Sequence, residues 1–167
     1  MKNYWIYEYP VGPIGVAEAD GRVTYVFFTD ENGKGAPKGY EKGETPLIQR
    51  ADKQLREYFA GERKAFDLPL EFIGTDFQRK VWAALMDVPY GEIRHYGDIA
   101  ARVGSPKAAR AVGMANHDNP IVIICPCHRI IGSNGSLTGY GGGLPMKEYL
   151  LDLEGYKICK TKNFKNG

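Results

Sequence analysis

Strand-forming patterns in this 167-residue chain are concentrated near its start. Segments Tyr4–Tyr9, Ile14–Ala19 and Arg22–Thr29 are rich in β-branched and aromatic residues, with turn residues at Gly12-Pro13 and Asp20-Gly21. They predict a small sheet, and later segments show helical spacing instead. The chain is therefore expected to fold as an α/β (α+β) protein whose sheet lies at the N-terminal end.

A helix is predicted to begin at Thr45-Pro46, where a capping residue precedes a proline at the first helical position. It ends near Gly61 and has one apolar face, formed by Leu47, Ile48, Ala51, Leu55, Tyr58 and Phe59. Residues 1–70 are thus predicted to be a small α/β domain. This half of the sequence has no histidine or cysteine, so it cannot supply a Cys/His metal site.

Residues 74–156 predict a second domain that is mainly helical. Thr75 and Gln78 have the spacing of a capping box at a helix start. Two short helices follow, over 97–103 and from 107 to about 115, in a helix-turn-helix arrangement. The second combines small residues with one long cation, Arg110, which suits close approach to nucleic acid. A helix whose small face packs closely on a neighbouring element is the alternative interpretation.

The pattern with the clearest chemistry is Pro126-Cys127-His128-Arg129, which follows the apolar run Ile121–Ile124. The run predicts a short buried strand, and the proline ends it because proline cannot donate a ladder hydrogen bond. Basic neighbours favour the thiolate form of Cys127, which is the nucleophile. The pattern therefore favours a reactive cysteine over an inert core cysteine.

The composition of the chain indicates where the protein is located and which partners it does not bind. No apolar run approaches the roughly 20 residues needed to span a bilayer, and the start lacks the apolar region of a signal peptide. Cys125, Cys127 and Cys159 form no disulfide framework. We therefore expect a cytoplasmic protein that does not bind membranes. Its net charge of +2 says little about partners, and residues 157–167 are expected to form a basic, solvated tail.

Several motifs between about 74 and 155 share their order and spacing with a known family. They are Thr75-Asp76-Phe77-Gln78 with Val81-Trp82, Ala108-Ala109-Arg110-Ala111-Val112-Gly113, Asn119-Pro120, Ile124-Cys125-Pro126-Cys127-His128-Arg129, Gly139-Tyr140-Gly141-Gly142, Lys147-Glu148 and Glu154-Gly155. With these motifs the chain resembles the O6-alkylguanine-DNA alkyltransferases (methylated-DNA–protein-cysteine methyltransferases). The resemblance implies a small N-terminal ribonuclease-H-like sheet-plus-helix domain and a mainly helical C-terminal domain with a helix-turn-helix.

The resemblance also implies DNA repair by direct, stoichiometric and irreversible transfer of the alkyl group from O6-methylguanine to the protein's own Cys127. O4-methylthymine is a second candidate lesion. Such an enzyme is a single-turnover methylated-DNA–[protein]-cysteine S-methyltransferase. Its partner is alkylated double-stranded DNA, bound by a monomer in the minor groove independently of sequence. No cofactor is expected, and no zinc either, because members with a structural zinc bind it through Cys and His in the N-terminal half.

The family pattern implies roles for individual residues at the reacting centre. Cys127 is the nucleophile, His128 removes its proton through one water, and Glu154 orients the imidazole. Tyr96 donates its hydroxyl to the departing base, while Asn119 braces the turn that bears the site.

Further roles concern the substrate and the DNA. The carbonyls of Cys127 and Ile130 read the exocyclic amine of guanine, and Tyr140 and the Gly141 amide belong to the base pocket. The residues expected to bind DNA are Arg110, which fills the space of the extruded nucleotide, and Lys107, Ala108, Ala109 and Ser133.

Other functional classes fit the sequence less well. The related alkyltransferase-like binding proteins lack the reactive cysteine, so Cys127 argues against them. A cysteine hydrolase would need His95 or His117 as its base, and neither has an obvious partner. A helix-turn-helix regulator would need more base-reading side chains than an Ala-rich helix with one arginine. Cys125 is interpreted as a buried small hydrophobe, with a second acceptor thiol as the less favoured alternative.

Overall fold

In the computed structural model of the protein, residues 1–132, 140 and 142–156 are described. They belong to two compact units. The first comprises Met1–Ile73 and Pro120–Ile124, and the second comprises Gly74–Asn119 and the chain from Cys125 onward. The first unit is built on a sheet and the second is mainly helical, so the expected mixed fold class is confirmed.

The sheet of the first unit has the strand order β3-β2-β1-β4. Its strands are β1 (Lys2–Tyr9), β2 (Gly12–Ala19), β3 (Arg22–Phe28) and β4 (Glu41–Lys42). The first three are antiparallel, which confirms the strands expected near the start, and β4 pairs parallel to β1. The turn at Asp20-Gly21 is also confirmed, and both residues adopt the positive φ that a tight hairpin requires. The first turn lies at Pro10-Val11, two residues earlier than predicted, because Gly12 already pairs with Tyr9.

Helix α1 (Pro46–Phe59) begins where the sequence predicts. The hydroxyl of Thr45 accepts a hydrogen bond from the Ile48 amide at 3.2 Å, which satisfies one of the unpaired amides of the first turn. Ile48, Leu55 and Tyr58 of α1 are fully buried, as are Ile14, Val16, Val23 and Val26 of the sheet. Burial of this face provides the main stabilisation of the unit.

The second unit contains α2 (Asp76–Met86), β5 (Arg94–His95), α3 (Tyr96–Arg102), α4 (Ala109–His117), β6 (Ile130–Ile131) and α5 (Leu144–Leu153). Both bonds of the predicted capping box at Thr75 and Gln78 are present. The Trp82 indole donates to the Ala115 carbonyl at 2.8 Å, which fixes α4 to α2. Strands β5 and β6 form a short parallel pair. Among the described residues, no helix combines the length and apolarity needed to cross a membrane.

The strand predicted over Ile121–Ile124 is wrong. Ile121 makes an isolated parallel bridge with Val26 instead of joining a strand, and Ile123 then turns the chain with a φ of +71°. Positive φ costs a β-branched residue roughly 1–3 kcal/mol, so surrounding contacts must hold the turn. Ile121, Ile123 and Ile124 are all buried, which supplies those contacts. The apolar run therefore reflects a buried turn and not a strand.

Candidate active site

Cys127 lies at the start of a short 3-10 helix, Cys127–Arg129, directly after a tight turn. Its amide donates to the Cys125 carbonyl at 2.8 Å. Two amide side chains near the end of α4 hold this turn: Asn119 Nδ2 donates to the Cys125 carbonyl at 2.8 Å, and Asn116 Nδ2 donates to the Cys127 carbonyl at 3.3 Å. Asn119 thus occupies the bracing position expected from the sequence. The turn that carries Cys127 is thus bonded, through Asn116, to the same helix that carries Arg110.

Glu154 joins two basic side chains in the interior. Its Oε2 lies 2.7 Å from His128 Nε2, and its Oε1 and Oε2 accept from Arg129 Nε and Nη2 at 2.7 and 3.0 Å. Arg129 Nη1 also donates to the Val88 carbonyl at 2.6 Å. An acid at the end of α5 is unfavourable for the helix itself, because the dipole prefers cations there. These bonds explain why an acid occupies that position.

The protonation of Glu154 follows from its partners. Burial alone would raise its pKa, but the hydrogen bond and charge of His128 and those of Arg129 lower the pKa of Glu154 to about 2. The carboxylate is therefore ionised over the physiological pH range and acts only as an acceptor. The hydrogen at His128 Nε2 must accordingly belong to His128.

This bond fixes the tautomer of His128. Burial lowers the pKa of His128, and its interaction with Glu154 opposes that effect only in part, so the ring is neutral at neutral pH. A neutral imidazole with its hydrogen on Nε2 has its lone pair on Nδ1. Nδ1 is buried and has no hydrogen-bond partner among the described residues. The ring can therefore accept a proton at Nδ1 while Glu154 stabilises the resulting imidazolium.

The thiol of Cys127 does not behave as its basic neighbours suggested. Burial raises the pKa of Cys127, although hydrogen bonding by Asn119 and Tyr140 and the charge of Lys147 oppose the shift. Only 3% of Cys127 is exposed, and a buried anion is costly. Arg129 gives the thiol little help, because its guanidinium is bound to Glu154. Cys127 is therefore a thiol at rest and needs a base when it reacts.

Lys147 is a site residue that sequence reasoning missed. Its side chain is fully buried, and Nζ donates to the Ile130 carbonyl at 2.5 Å. Burial lowers the pKa of Lys147 to about 8, and interaction with Cys127 opposes the shift. A signal existed, because Lys147 lies three and four residues before the fully buried Leu150 and Leu151 and so shares their helix face. Asn116 and Arg129 were also missed as positioning residues.

The carbonyls expected to read the base already have donors. The Cys127 carbonyl accepts from Asn116 and from the Ile130 amide, which accounts for both of its lone pairs. The Ile130 carbonyl accepts from Lys147 and is held in place by it. Tyr140 is buried beside Cys127. Gly141, expected in the base pocket, lies outside the described residues.

Four of the five residues expected to contact DNA lie on or just before α4. Lys107 and Arg110 are exposed, while Ala108, which caps the helix, and Ala109, its first residue, are half-buried. The helix starts two residues later than predicted. Ser133 lies outside the described residues.

Tyr96 is the first residue of α3 and is half-buried. A Cβ placed on Gly113 would lie 4.0 Å from its ring, so the ring lies against α4. The small residues of α4 therefore serve a packing role at Gly113, whereas Ala111 stays exposed. The packing interpretation is supported at Gly113, and close approach of α4 to nucleic acid stays a prediction. No group of three potential metal ligands occurs within the part of the chain that the structure describes.

Comparison with known proteins covers nearly the whole chain. Residues 3–72 match the ribonuclease-like domain of 6-O-methylguanine DNA methyltransferase, and residues 76–156 match its DNA-binding domain. A methylated-DNA–protein-cysteine methyltransferase from Methanosarcina acetivorans is 52% identical over 91% of this chain and 97% of its own length. The constitutive enzyme of that name from Bacillus subtilis is 51% identical over 92% and 96%.

Solved structures agree with this similarity. A crystal structure of Mycobacterium tuberculosis O6-methylguanine methyltransferase has a TM-score of 0.84 and 45% identity over 92% of this chain and 93% of that one. M. tuberculosis OGT in complex with DNA has the same TM-score and 43% identity over 96% and 94%. The chain belongs to the family of 6-O-methylguanine DNA methyltransferases.

Proposed function

We propose that the protein repairs DNA by moving the alkyl group of O6-methylguanine to the sulfur of its own Cys127. The observation that carries this proposal is the buried His128–Glu154 pair next to Cys127, with an acceptor nitrogen left open at Nδ1. The names of the relatives and the match to a DNA-binding domain support the substrate class. Both the nucleophile and the proposed DNA surface lie within residues 74–156, the proposed alkyltransferase domain.

In the proposed reaction the Cys127 proton passes through one water to His128 Nδ1, and Glu154 stabilises the imidazolium. The thiolate attacks the alkyl carbon, an S–C bond forms, and the C–O6 bond breaks. Its electron pair stays on the guanine, where the Tyr96 hydroxyl donates a hydrogen bond. The product is a thioether without an easy hydrolytic exit, so each molecule acts once and needs no cofactor. O4-methylthymine has the same alkyl–oxygen bond and is a second candidate substrate.

The raised pKa of the thiol affects when it is activated. Even an ordinary thiol with a pKa near 8.5 is only about 3% thiolate at pH 7, and a raised pKa lowers that fraction further. A less acidic thiol gives a stronger nucleophile once deprotonated. Proton transfer to His128 therefore accompanies the reaction and does not precede substrate binding. The positive charge of the buried Lys147 side chain partly offsets the desolvation cost of forming a buried thiolate at Cys127.

The alkylated oxygen is inaccessible in a stacked duplex, so the nucleotide must be extruded. We propose that α4 enters the minor groove independently of sequence and that Arg110 occupies the vacated space. Lys107 would contact the backbone, which makes binding sensitive to salt.

Cys127, His128 and Glu154 all come from one chain, so a monomer suffices. The reaction requires a free thiol, which suits the reducing cytoplasm.

The proposed transfer has a direct test. Incubation with duplex DNA containing O6-methylguanine is expected to add the mass of one methyl group to the protein, and fragmentation of the peptide is expected to place it on Cys127. Unmodified duplex of the same sequence is the control. A methyl group on Cys125, or no gain in mass, would refute the assignment.

Arg110→Ala is expected to slow transfer from duplex DNA by about tenfold or more, because unstacking a base costs a few kcal/mol that the arginine helps to offset. Reaction with free O6-benzylguanine, which needs no extrusion, is expected to keep its native rate. Arg79→Ala removes an exposed arginine on α2 and provides the matched control. Equal slowing with both substrates would count against a role in extrusion.

A further inference from the structure

Met114 of α4 is 64% exposed, although it is a large apolar side chain. The next most exposed large hydrophobic residues of the described second unit are Met86 and Tyr149, both at 39%. Single exposed apolar residues are common on soluble proteins, so exposure alone identifies no site. The position of Met114 on its helix provides the further argument.

Met114 lies one helical turn after Arg110, so the two side chains leave the same face with Cβ atoms about 5–6 Å apart. Ala111, between them, is also exposed, and Lys107 is exposed just before the start of α4. Val112, Ala115 and Asn116, on the opposite side of α4, are buried. Met114 therefore continues the exposed stripe that carries the cations.

Charge indicates what this stripe faces. From residue 99 to residue 117 the chain has three Lys or Arg residues and no acidic one. Arg102 is paired with Asp87 at 2.6 Å, which leaves Lys107 and Arg110 as the cations on the stripe. Two exposed cations beside an exposed apolar side chain oppose docking of a purely apolar partner. They complement the negative charge of duplex DNA, which is also the ligand type of the domain matched at residues 76–156.

We propose that Met114 is a second DNA-inserting side chain, which packs in the minor groove beside the nucleotide that Arg110 displaces. This inference rests on the proposed function, in which α4 binds the duplex. The minor groove is about 6 Å wide, and proteins that bind it insert apolar side chains, including methionine, between or against base steps. The flexible, unbranched Met114 side chain can adapt to any sequence there.

The spacing fits the geometry of DNA. Base pairs are about 3.4 Å apart along the helix, so side chains about 5–6 Å apart reach positions one to two steps apart. Arg110 fills the gap while Met114 contacts the neighbouring sugar and base edge.

Titration of Met114→Ala with duplex DNA at several salt concentrations tests this proposal. We expect affinity to fall about three- to tenfold, consistent with loss of one apolar or stacking contact, and Met114→Leu to retain most of it. The slope of the logarithm of the association constant for duplex DNA against the logarithm of the salt concentration is expected to stay at the native value, because no phosphate contact is lost. Lys107→Ala is expected to reduce that slope by about 0.9. Met86→Ala, which removes an exposed methionine from α2, is expected to bind as the native protein does.

Reaction of Met114→Ala with free O6-benzylguanine distinguishes a lost DNA contact from a damaged active site, because the free base needs no contact with α4. We expect this variant to react with the free base at the native rate. Native duplex affinity for Met114→Ala, an altered salt slope, or a slower reaction with free O6-benzylguanine would each overturn the proposal. The unmutated protein is measured separately for binding and for gain in mass. If it binds duplex without accepting the methyl group, the proposed function fails and the affinities still decide the role of Met114. If it binds no duplex, both proposals fail.

Discussion

Cys127→Ser is expected to abolish alkyl transfer completely while leaving duplex binding intact. Serine has nearly the same shape as cysteine, but its hydroxyl is far harder to ionise, and the oxygen is a poorer nucleophile toward a saturated carbon. Cys127 is buried, whereas Arg110 and Lys107 are exposed, so the exchange removes the acceptor without changing the surface proposed to bind DNA. Mass spectrometry after incubation with methylated duplex and fluorescence anisotropy with the same duplex measure the two properties.

Cys125→Ser is the matched control for that variant. Cys125 lies in the same turn, is fully buried, and its Sγ lies 3.7 Å from the Trp82 carbonyl, to which a serine hydroxyl could also donate. Burial raises the pKa of the Cys125 thiol well above its ordinary value, so it is poorly suited to be an acceptor. We expect this variant to transfer at close to the native rate. Loss of both transfer and binding in Cys127→Ser would instead show that Cys127 is structural.

The elements that the sequence predicted well are those whose ends are marked by local chemistry. Thr45-Pro46 and the Thr75–Gln78 capping box satisfy helix amides through neighbouring side chains, so a short stretch of sequence is enough to place them. The Asp20-Gly21 turn needs positive φ, which those residue types tolerate. Such features depend on residues a few positions apart.

The features that the sequence did not predict depend on contacts between distant segments. Nothing local marks Ile123 as the point where the chain turns, because its positive φ is held by buried neighbours. The pKa of Cys127 was expected to fall because basic residues are adjacent, yet burial dominates and Arg129 is bound to Glu154, 25 residues away. Nothing in the sequence singles out Asn116, and its bond to the Cys127 carbonyl appears only once the chain is folded.

Acid should destabilise the protein through Glu154 and His128. The folded-state pKa of Glu154 is about 2, below its ordinary value of 4.5, so its stabilisation is fully present above about pH 4.5 and is lost as the pH falls toward 2. The shift corresponds to about 3 kcal/mol. His128 also has a lowered pKa when folded, so the unfolded chain gains its proton first and stability declines as the pH falls below 6.5. Both effects have the same sign, and stability rises with pH over the acidic range.

Glu154→Gln is expected to lower the free energy of unfolding at pH 7 by about 3–5 kcal/mol, because Arg129 then keeps a buried charge without its counterion. The amide also presents a donor to groups that themselves donate, so it cannot replace both bonds. Denaturant unfolding at a series of pH values measures this loss. The variant is expected to lack the Glu154 contribution to the decline between pH 4.5 and 2 and to retain the His128 contribution that begins below pH 6.5. Asp152→Asn, an exposed acid on the same helix, is expected to change stability by less than about 0.5 kcal/mol. An unchanged pH profile in Glu154→Gln would mean that this carboxylate does not hold the site together.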